Sequence, residues 1–374
     1  MIFAFPNFGD TALVLSKVFD ELGIKYVMPG KNSKAVLKRG AEICPQDMCI
    51  PFKYMLGNLM ECYEKGADTA LMMATAGPCR LGEYGQLFME ILGKNGYDFK
   101  WLLLDAPSVI GRGEFLRRVK KVLGEDVKKR QVIKILFKGV GFVKRLDEFK
   151  KALLFKGGYM KNSHEAVGLL RETEKRLFEA EGIDQCAWIL KRAKKELKSI
   201  EMLKGVKPIK ILVTGEIYTS MEKDANGYLQ EKLMREGCSV KCDLGLWWWM
   251  KHTFISALLP EAVQDAFYRN RGIFFNAGGY SRKTMADVLS SGEFDGVIKV
   301  MPSGCMPEIV VKSMCEKIQS RRSCKILHLI YDEMSENAGY ETRVEAFIDT
   351  LERRRDVLAG SGYRLHKYGP GIDR

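Results

Sequence analysis

The 374-residue sequence lacks several features that would assign it to a familiar class. No apolar run approaches the ~20 uninterrupted residues that a membrane span needs. The first 19 residues are apolar, but they carry no basic leader and are interrupted by Pro6, Gly9 and Asp10, which argues against a signal peptide. A glycine-rich P-loop, a repeat of about 20 to 50 residues and a low-complexity tract are also missing. We therefore expect a cytoplasmic globular protein with no membrane partner.

The sequence has an excess of positive charge, at a formal +13, but its basic residues are not clustered. In residues 144–158 and 172–202 they alternate with acidic residues around apolar positions at helical spacing, which is typical of solvated helix faces. A nucleic-acid-binding α/β protein would rest on this charge alone, since no binding motif accompanies it. We expect no nucleic-acid partner, although the charge suits an acidic partner or a phosphate-bearing ligand.

Two parts of the chain alternate short apolar runs with helical periodicity. Such alternation predicts a parallel sheet that is covered by helices on both faces. The first part covers residues 1–107 and the second covers residues 207–374, where residues 342–358 form a closing helix. Residues 108–206 between them are helical and charged, with one possible strand at 132–137. We predict an α/β protein of two Rossmann-like lobes, joined by a helical segment and facing each other across a cleft.

Ten cysteines in a lysine-rich chain without a secretion signal indicate reduced thiols rather than a disulfide scaffold. Six of them have apolar neighbours within helix or strand patterns, and we interpret these as small buried side chains. These six are Cys62, Cys186, Cys238, Cys242, Cys315 and Cys324.

Three other cysteines lie in junctions that are rich in glycine and proline. Cys79 and Cys305 each follow a predicted strand and precede a helix, and Cys49 directly precedes a helix. Helix N-termini stabilise thiolates through their unpaired amide donors and the positive end of the helix dipole. In open α/β sheets, ligands also collect beyond the carboxyl ends of the strands. The positions of these cysteines therefore favour metal-binding thiolates.

The spacing of the cysteines bears on which metal they hold. A zinc site usually has close C-x-x-C pairs with a second pair or histidines nearby. Here Cys44 and Cys49 have four residues between them, Cys79 follows 30 positions later, and Cys305 is in the other lobe. The chain has only four histidines, none beside these cysteines. Thiolates that converge from separate loops fit an iron–sulfur cluster better.

Five segments carry a family resemblance: MCIPFKYMLGNL, GPCRLGEYG, VTGEIY, VMPSGCMPE and YDEMSENAGYETRVEAF. Together they resemble the 2-hydroxyacyl-CoA dehydratase-like superfamily, in particular its acyl-CoA dehydratase activase-related branch, which has double-cubane-cluster proteins as relatives. The segments cover both lobes in order. The resemblance implies an iron–sulfur cluster between the lobes, held by Cys49 and Cys79 of the first lobe and Cys305 of the second.

The resemblance also implies a function in low-potential electron transfer. In the family, a separate ASKHA-type activator hydrolyses ATP and injects one electron into the cluster. In the dehydratases, an open iron of a 4Fe–4S cluster coordinates the thioester carbonyl of a 2-hydroxyacyl-CoA. In the double-cubane relatives, an 8Fe–9S cluster reduces small molecules instead. The implied protein is a reductase or dehydratase-like enzyme of an anaerobe, which forms a homodimer or pairs with a homologous subunit.

Several residues near the predicted site have two readings. Cys44 is either a fourth ligand, which would close the cluster to substrate, or a packing residue. Glu216 either faces the cleft as an acid/base or hydrogen-bonding group, or caps a helix. Arg80 and Lys53 either stabilise an anionic cluster or form surface pairs. The alternative function is a non-catalytic cluster- or metal-binding partner of a larger activase polypeptide.

Overall fold

The computed structural model describes residues 1–72, 80–105, 110–124, 129–319, 324–334 and 337–358. Within these ranges, eight strands form two parallel sheets of four strands each. The first sheet contains β1 (Phe3–Ala4), β2 (Tyr26–Val27), β3 (Thr69–Met72) and β4 (Lys100–Leu103), and the second contains β5 (Lys210–Gly215), β6 (Ser239–Cys242), β7 (Gly296–Pro302) and β8 (Lys325–Tyr331). The strand orders are β2-β1-β3-β4 and β6-β5-β7-β8, so both sheets have the same topology. The predicted α/β class with two lobes is confirmed.

Helices precede, separate and follow these strands. The first lobe contains α1 (Thr11–Leu22), α2 (Lys34–Ile43), α3 (Ile50–Glu64) and α4 (Tyr84–Lys94). The segment between the sheets contains α5 (Arg112–Leu123), α6 (Lys129–Gly157), α7 (Ser163–Glu179) and α8 (Gly182–Ser199). The second lobe contains α9 (Ile217–Met221), α10 (Leu229–Arg235), α11 (Leu246–Leu258), α12 (Glu261–Arg269), α13 (Ser281–Leu289), α14 (Met306–Gln319) and α15 (Asn337–Leu358). In the described part of the chain, no helix is both long and apolar enough to cross a membrane.

One detail of the predicted secondary structure is wrong. Residues 132–137, the possible strand of the middle segment, lie within the 29-residue helix α6. Ile133, Leu136, Phe137 and Val140 are all exposed on this helix, at spacings of three and four residues. That spacing is the helical period, and the apolar run at 132–137 is too short to distinguish it from the pattern of a strand.

The helices between the sheets form a layer that both lobes share. The largest of three hydrophobic clusters in the described residues contains side chains from the first lobe, from the middle helices and from the second lobe. It includes Ala4 of β1, Leu56 of α3, Phe149 of α6, Leu190 of α8 and Ile211 of β5. The domain boundaries at residues 107 and 206 stay predictions.

Helices α2 and α3 are in backbone contact, which fixes the loop between them. A Cβ added at Gly40 would lie 1.8 Å from the Lys53 carbonyl oxygen, and one added at Gly57 would lie 2.2 Å from that of Val36. These separations leave room only for glycine at both positions. The connecting loop, residues 44–49, is therefore held at both ends by the closely packed pair.

We expect Gly40→Ala to destabilise the fold by about 2 kcal/mol, since overpacking costs roughly 1–3 kcal/mol and outweighs alanine's higher helix propensity. Gly168→Ala in α7 is the matched control, because nothing lies within 4 Å of an added Cβ there. The control should be neutral or up to about 1 kcal/mol more stable. Urea unfolding of both variants measures the difference, and equal stabilities would contradict the close contact of α2 and α3.

Candidate functional site

Cys49 and Cys305 lie at helix N-termini, as the sequence predicts. Cys49 is the N-cap residue of α3, and Pro51 lies in the first turn. Cys305 directly precedes α14, and its carbonyl oxygen accepts a hydrogen bond from the Ile309 amide at 2.9 Å. Both cysteines are half-buried. Each sulfur is thus attached to a residue beside the positive end of a helix, a position that favours the thiolate.

The Cys49 sulfur contacts a buried tyrosine. Its Sγ lies 2.6 Å from Oη of Tyr84, the first residue of α4. The Tyr84 side chain is almost fully buried and packs edge-on against Phe52 of α3, with ring centroids 4.8 Å apart. A hydroxyl that donates to a thiolate stabilises its charged form. Tyr84 is therefore placed to orient Cys49 and to stabilise its thiolate.

The loops that carry Cys49 and Cys305 come together between the lobes. The carbonyl oxygen of Asp47, in the loop 44–49, would lie 3.9 Å from a Cβ added at Gly304. Beside this contact, Lys53 Nζ of α3 lies 2.7 Å from a carboxylate oxygen of Glu333, which follows β8. The carboxyl ends of β7 and β8 therefore meet the start of α3. This is the convergence that a cluster held by both lobes requires.

Cys79 lies outside the described residues. The next residue, Arg80, forms an ion pair at 3.0 Å with Asp47 and also donates to the Asp47 carbonyl oxygen at 3.1 Å. Both side chains are exposed, so Arg80 forms a surface ion pair, which is one of the two roles that the sequence leaves open for it. Within the described ranges, no three His, Cys, Asp or Glu side chains are grouped closely enough to hold a metal ion. The ligand roles of Cys49, Cys79 and Cys305 stay predictions.

Cys44 differs from Cys49 in its surroundings. Its side chain is buried, and its thiol donates to the carbonyl oxygen of Pro45 at 3.2 Å. Burial raises the pKa of Cys44 to about 12, although the nearby charge of Lys53 opposes the rise. A coordinating metal ion deprotonates a thiol by its own charge, so this pKa does not decide between the two roles of Cys44. Its ligand role stays a prediction.

Glu216 caps a helix. Its carboxylate accepts hydrogen bonds from the backbone amides of Tyr218 at 2.9 Å and Thr219 at 2.8 Å, and from the Thr219 hydroxyl at 2.7 Å. These contacts confirm the capping alternative for the start of α9. Burial raises the pKa of Glu216, while the same hydrogen bonds oppose the rise. Since its oxygens already accept three bonds, an acid/base role would require this cap to open.

Sequence reasoning missed a buried ion pair behind Cys305. Lys299 of β7 is fully buried, and its Nζ lies 2.7 Å from a carboxylate oxygen of Glu308 in the first turn of α14. The other Glu308 oxygen accepts from the Thr284 hydroxyl at 2.8 Å. A lysine inside an otherwise apolar strand is the signal that could have revealed the pair, because such a charge needs a partner. The pair anchors the N-terminal turn that follows Cys305.

Residues 7–72 match a family model described as the CoA enzyme activase uncharacterised domain (DUF2229). The matched part contains the loop 44–49, α2 and α3, and so includes Cys44 and Cys49. No curated protein matches the chain. The family match supports a relation to acyl-CoA activase-like proteins.

Proposed function

We propose that this protein is an iron–sulfur protein that receives single low-potential electrons from a separate ATP-hydrolysing activator of the ASKHA type. The observation that carries the proposal is the meeting of the Cys49 loop of one lobe with the Cys305 loop of the other. The CoA enzyme activase match over residues 7–72 supports the same chemical context. The electron would then pass to a substrate or to a second protein.

The donor set fits a thiolate-held cluster. Cys49, Cys79 and Cys305 would hold a 4Fe–4S cluster or an 8Fe–9S double cubane, which supplies one-electron transfer at low potential when bound. The helix N-termini beside Cys49 and Cys305 offset the negative charge of the thiolates. Lys53 adds a positive charge that is only 5% exposed, and its ion pair with Glu333 also fastens the two lobes to each other.

Catalysis is the first form of the proposal: a reductase or a 2-hydroxyacyl-CoA dehydratase-like reaction. It requires a coordination position for substrate, which would be available if Cys44 packs and does not ligate the cluster. An apolar cavity of about 100 Å³ lies at the carboxyl ends of β1 and β3, with Phe5, Met55, Leu71 and Trp249 among its walls. Such a cavity suits the apolar part of an acyl group.

A non-catalytic role is the second form. The protein would then be a cluster-carrying partner of a larger activase polypeptide, and the match to a domain named after CoA enzyme activases favours this reading. Met306, Ile309, Val310 and Met314 form an exposed apolar stripe along α14, immediately after Cys305. An exposed stripe of this kind suits contact with the activator or with a homologous subunit.

Electron transfer from an activator tests the proposal. The cluster-loaded protein is mixed anaerobically with a purified ASKHA-type activator that has been reduced with dithionite, and its visible absorbance is followed with ATP and with a non-hydrolysable ATP analogue. We expect bleaching of the cluster only with ATP, and dehydration of an added 2-hydroxyacyl-CoA if the catalytic form holds. A cluster that is never reduced in an ATP-dependent manner would contradict the proposal.

The contact of Tyr84 with Cys49 gives a separate prediction. In the cluster-free protein, Tyr84→Phe removes a hydrogen bond to a charged sulfur, so alkylation of Cys49 at neutral pH should slow by roughly tenfold. In the loaded protein, the same change should lower the reduction potential of the cluster. Tyr97→Phe is the control, because its hydroxyl contacts Glu64 in an exposed position. Unchanged alkylation of Cys49 would show that Tyr84 only packs.

A further inference from the structure

A cavity of about 570 Å³ lies apart from the cysteine site. Its walls come from three parts of the molecule: the loop 7–10 and residues 31–32 of the first lobe, helices α6 and α7, and the segment 221–231 of the second lobe. None of the nine cysteines that the structure describes lines it. Its volume is in the range of small-molecule sites.

Most charged residues of the wall neutralise each other. Lys150 lies 2.6 Å from Asp10 and 3.0 Å from Glu174. Lys223 lies 2.6 Å from Glu174 and 3.2 Å from Glu231. Arg171 also pairs with Glu231, at 2.8 Å. These ion pairs form a fixed frame. They leave three acidic side chains of the wall, Glu179, Glu222 and Asp224, and two basic ones outside any ion pair.

Glu179 is exposed at the end of α7, whereas Glu222 and Asp224 lie together in the segment 221–231. Glu222 is only 8% exposed and accepts a hydrogen bond from the Gly9 amide at 3.0 Å, yet no lysine or arginine of the described residues pairs with it. Asp224 accepts from the Tyr228 hydroxyl at 2.9 Å. Burial raises the pKa of Glu222 to about 7, and the charge of Asp224 acts in the same direction. Two neighbouring carboxyl groups therefore line the cavity outside any ion pair, although the charges of Lys223 and Lys31 act on Asp224 and oppose the rise of its pKa by burial.

Polar side chains hold this part of the wall rigid across both lobes. Asn58 accepts from the Asn7 amide at 3.0 Å and donates to Asn32 at 3.0 Å, and Asn32 donates to the Tyr218 hydroxyl at 3.1 Å. Tyr228 has a φ of 57°, the only positive value for a non-glycine residue in the described part of the chain. Backbone strain of this kind is concentrated at functional sites.

The two basic groups are Lys31 and Lys175, which also line the cavity. Both are exposed, and neither forms an ion pair with another described residue. The cavity thus combines a buried carboxyl group, Glu222, and a half-buried one, Asp224, with two exposed ammonium groups, and none of the four forms an ion pair with another described residue. A ligand that satisfies both kinds of group carries a positive group and a negative group.

We propose that this cavity binds a small zwitterion of the amino-acid class, whose ammonium group is held by Glu222 and Asp224 and whose carboxylate lies against Lys31 and Lys175. This site goes beyond the proposed electron transfer and does not depend on a cluster. The rigid asparagine network that spans both lobes provides a preformed wall, which reduces the ordering cost of binding.

The test uses the full chain without added metal. Thermal shift and calorimetry are run with the twenty standard L-amino acids, 6-aminohexanoate and glycylglycine, and with butylamine and butyrate as probes that carry one charge only. We expect saturable binding by at least one zwitterion and weaker binding by both single-charge probes. Binding by none of the zwitterions at millimolar concentration, or equal binding by butyrate, would overturn the proposal.

Variants assign the binding to this cavity. Glu222→Gln keeps the shape of the side chain but removes its charge, so affinity for the bound zwitterion should fall at least about tenfold. Lys31→Ala combined with Lys175→Ala should weaken it by several fold, and should weaken butylamine binding much less. Asp349→Asn, a change of an exposed carboxylate on α15, is the control. Equal affinity in Glu222→Gln and the control would place the binding elsewhere and refute the assignment.

Discussion

Cys305→Ser is expected to abolish cluster binding, although Cys305 lies in a different lobe from Cys49 and Cys79. The loops of Cys49 and Cys305 meet between the lobes, so a cluster held there loses one of its thiolate ligands when either is removed. After anaerobic reconstitution, the variant should retain almost none of the iron that the wild-type protein binds. Iron per chain, determined by elemental analysis, measures the effect.

Cys315→Ala is the matched control for this experiment. Cys315 lies in the same helix, α14, but is fully buried, and burial raises the pKa of its thiol to about 11. The control should therefore bind iron as the wild-type protein does. Full retention of iron by Cys305→Ser would confine the site to the first lobe and contradict a site shared between the lobes.

Glu222→Gln is expected to stabilise the protein by about 3 kcal/mol at alkaline pH. The pKa of Glu222 is raised from 4.5 to about 7 in the folded state, mainly by burial. Below pH 4.5 the carboxyl is protonated in both states and costs nothing. As the pH rises toward 7, the unfolded chain ionises first, so stability falls, and above 7 the full difference of about 2.5 pKa units applies. Glutamine never ionises and avoids this loss.

Urea unfolding across this pH range checks the expectation. The variant and the wild-type protein should be about equally stable near pH 4.5 and should diverge progressively up to about pH 8. Glu201→Gln is the control, because Glu201 is largely exposed in its ion pair with Lys161 and its loss should change little at any pH. If the free energy of unfolding depends on pH in the same way for Glu222→Gln and the wild type, ionisation of Glu222 does not destabilise the folded state, and the expectation is contradicted.

A carboxyl group that destabilises the fold at neutral pH is more easily explained by function than by packing. Proteins keep such groups where binding or catalysis needs them. Glu222 fits this description because it faces a cavity and no lysine or arginine of the described residues pairs with it. The stability experiment and the ligand panel are independent, since the first requires no ligand.

The sequence predicted the features that depend on local patterns. Apolar runs located all eight described strands, since buried parallel strands are continuous in hydrophobic residues. The glycine- and proline-rich junctions placed Cys49 and Cys305 at helix starts, and the structure confirms both positions. The run at 132–137 misled because a short apolar stretch does not distinguish a strand from one side of a long helix.

Contacts between distant parts of the chain could not be predicted in this way. Tyr84 reaches Cys49 from 35 positions away, and Glu333 reaches Lys53 from 280 positions away. Glu222 directly follows α9 and is buried, although it is flanked by other charged residues in the sequence. The packing of α4 on α3 brings Tyr84 to Cys49, and the contact between the two lobes brings Glu333 to Lys53.

The most direct test of the proposed function is the metal content of the protein itself. The chain is purified without oxygen, iron and acid-labile sulfide are counted per chain, and the EPR spectrum is recorded after reduction. We predict about four irons for a single cubane or about eight for a double one, with matching sulfide and a cluster signal in the reduced state. Zinc in place of iron, or iron without sulfide, would contradict the electron-transfer function.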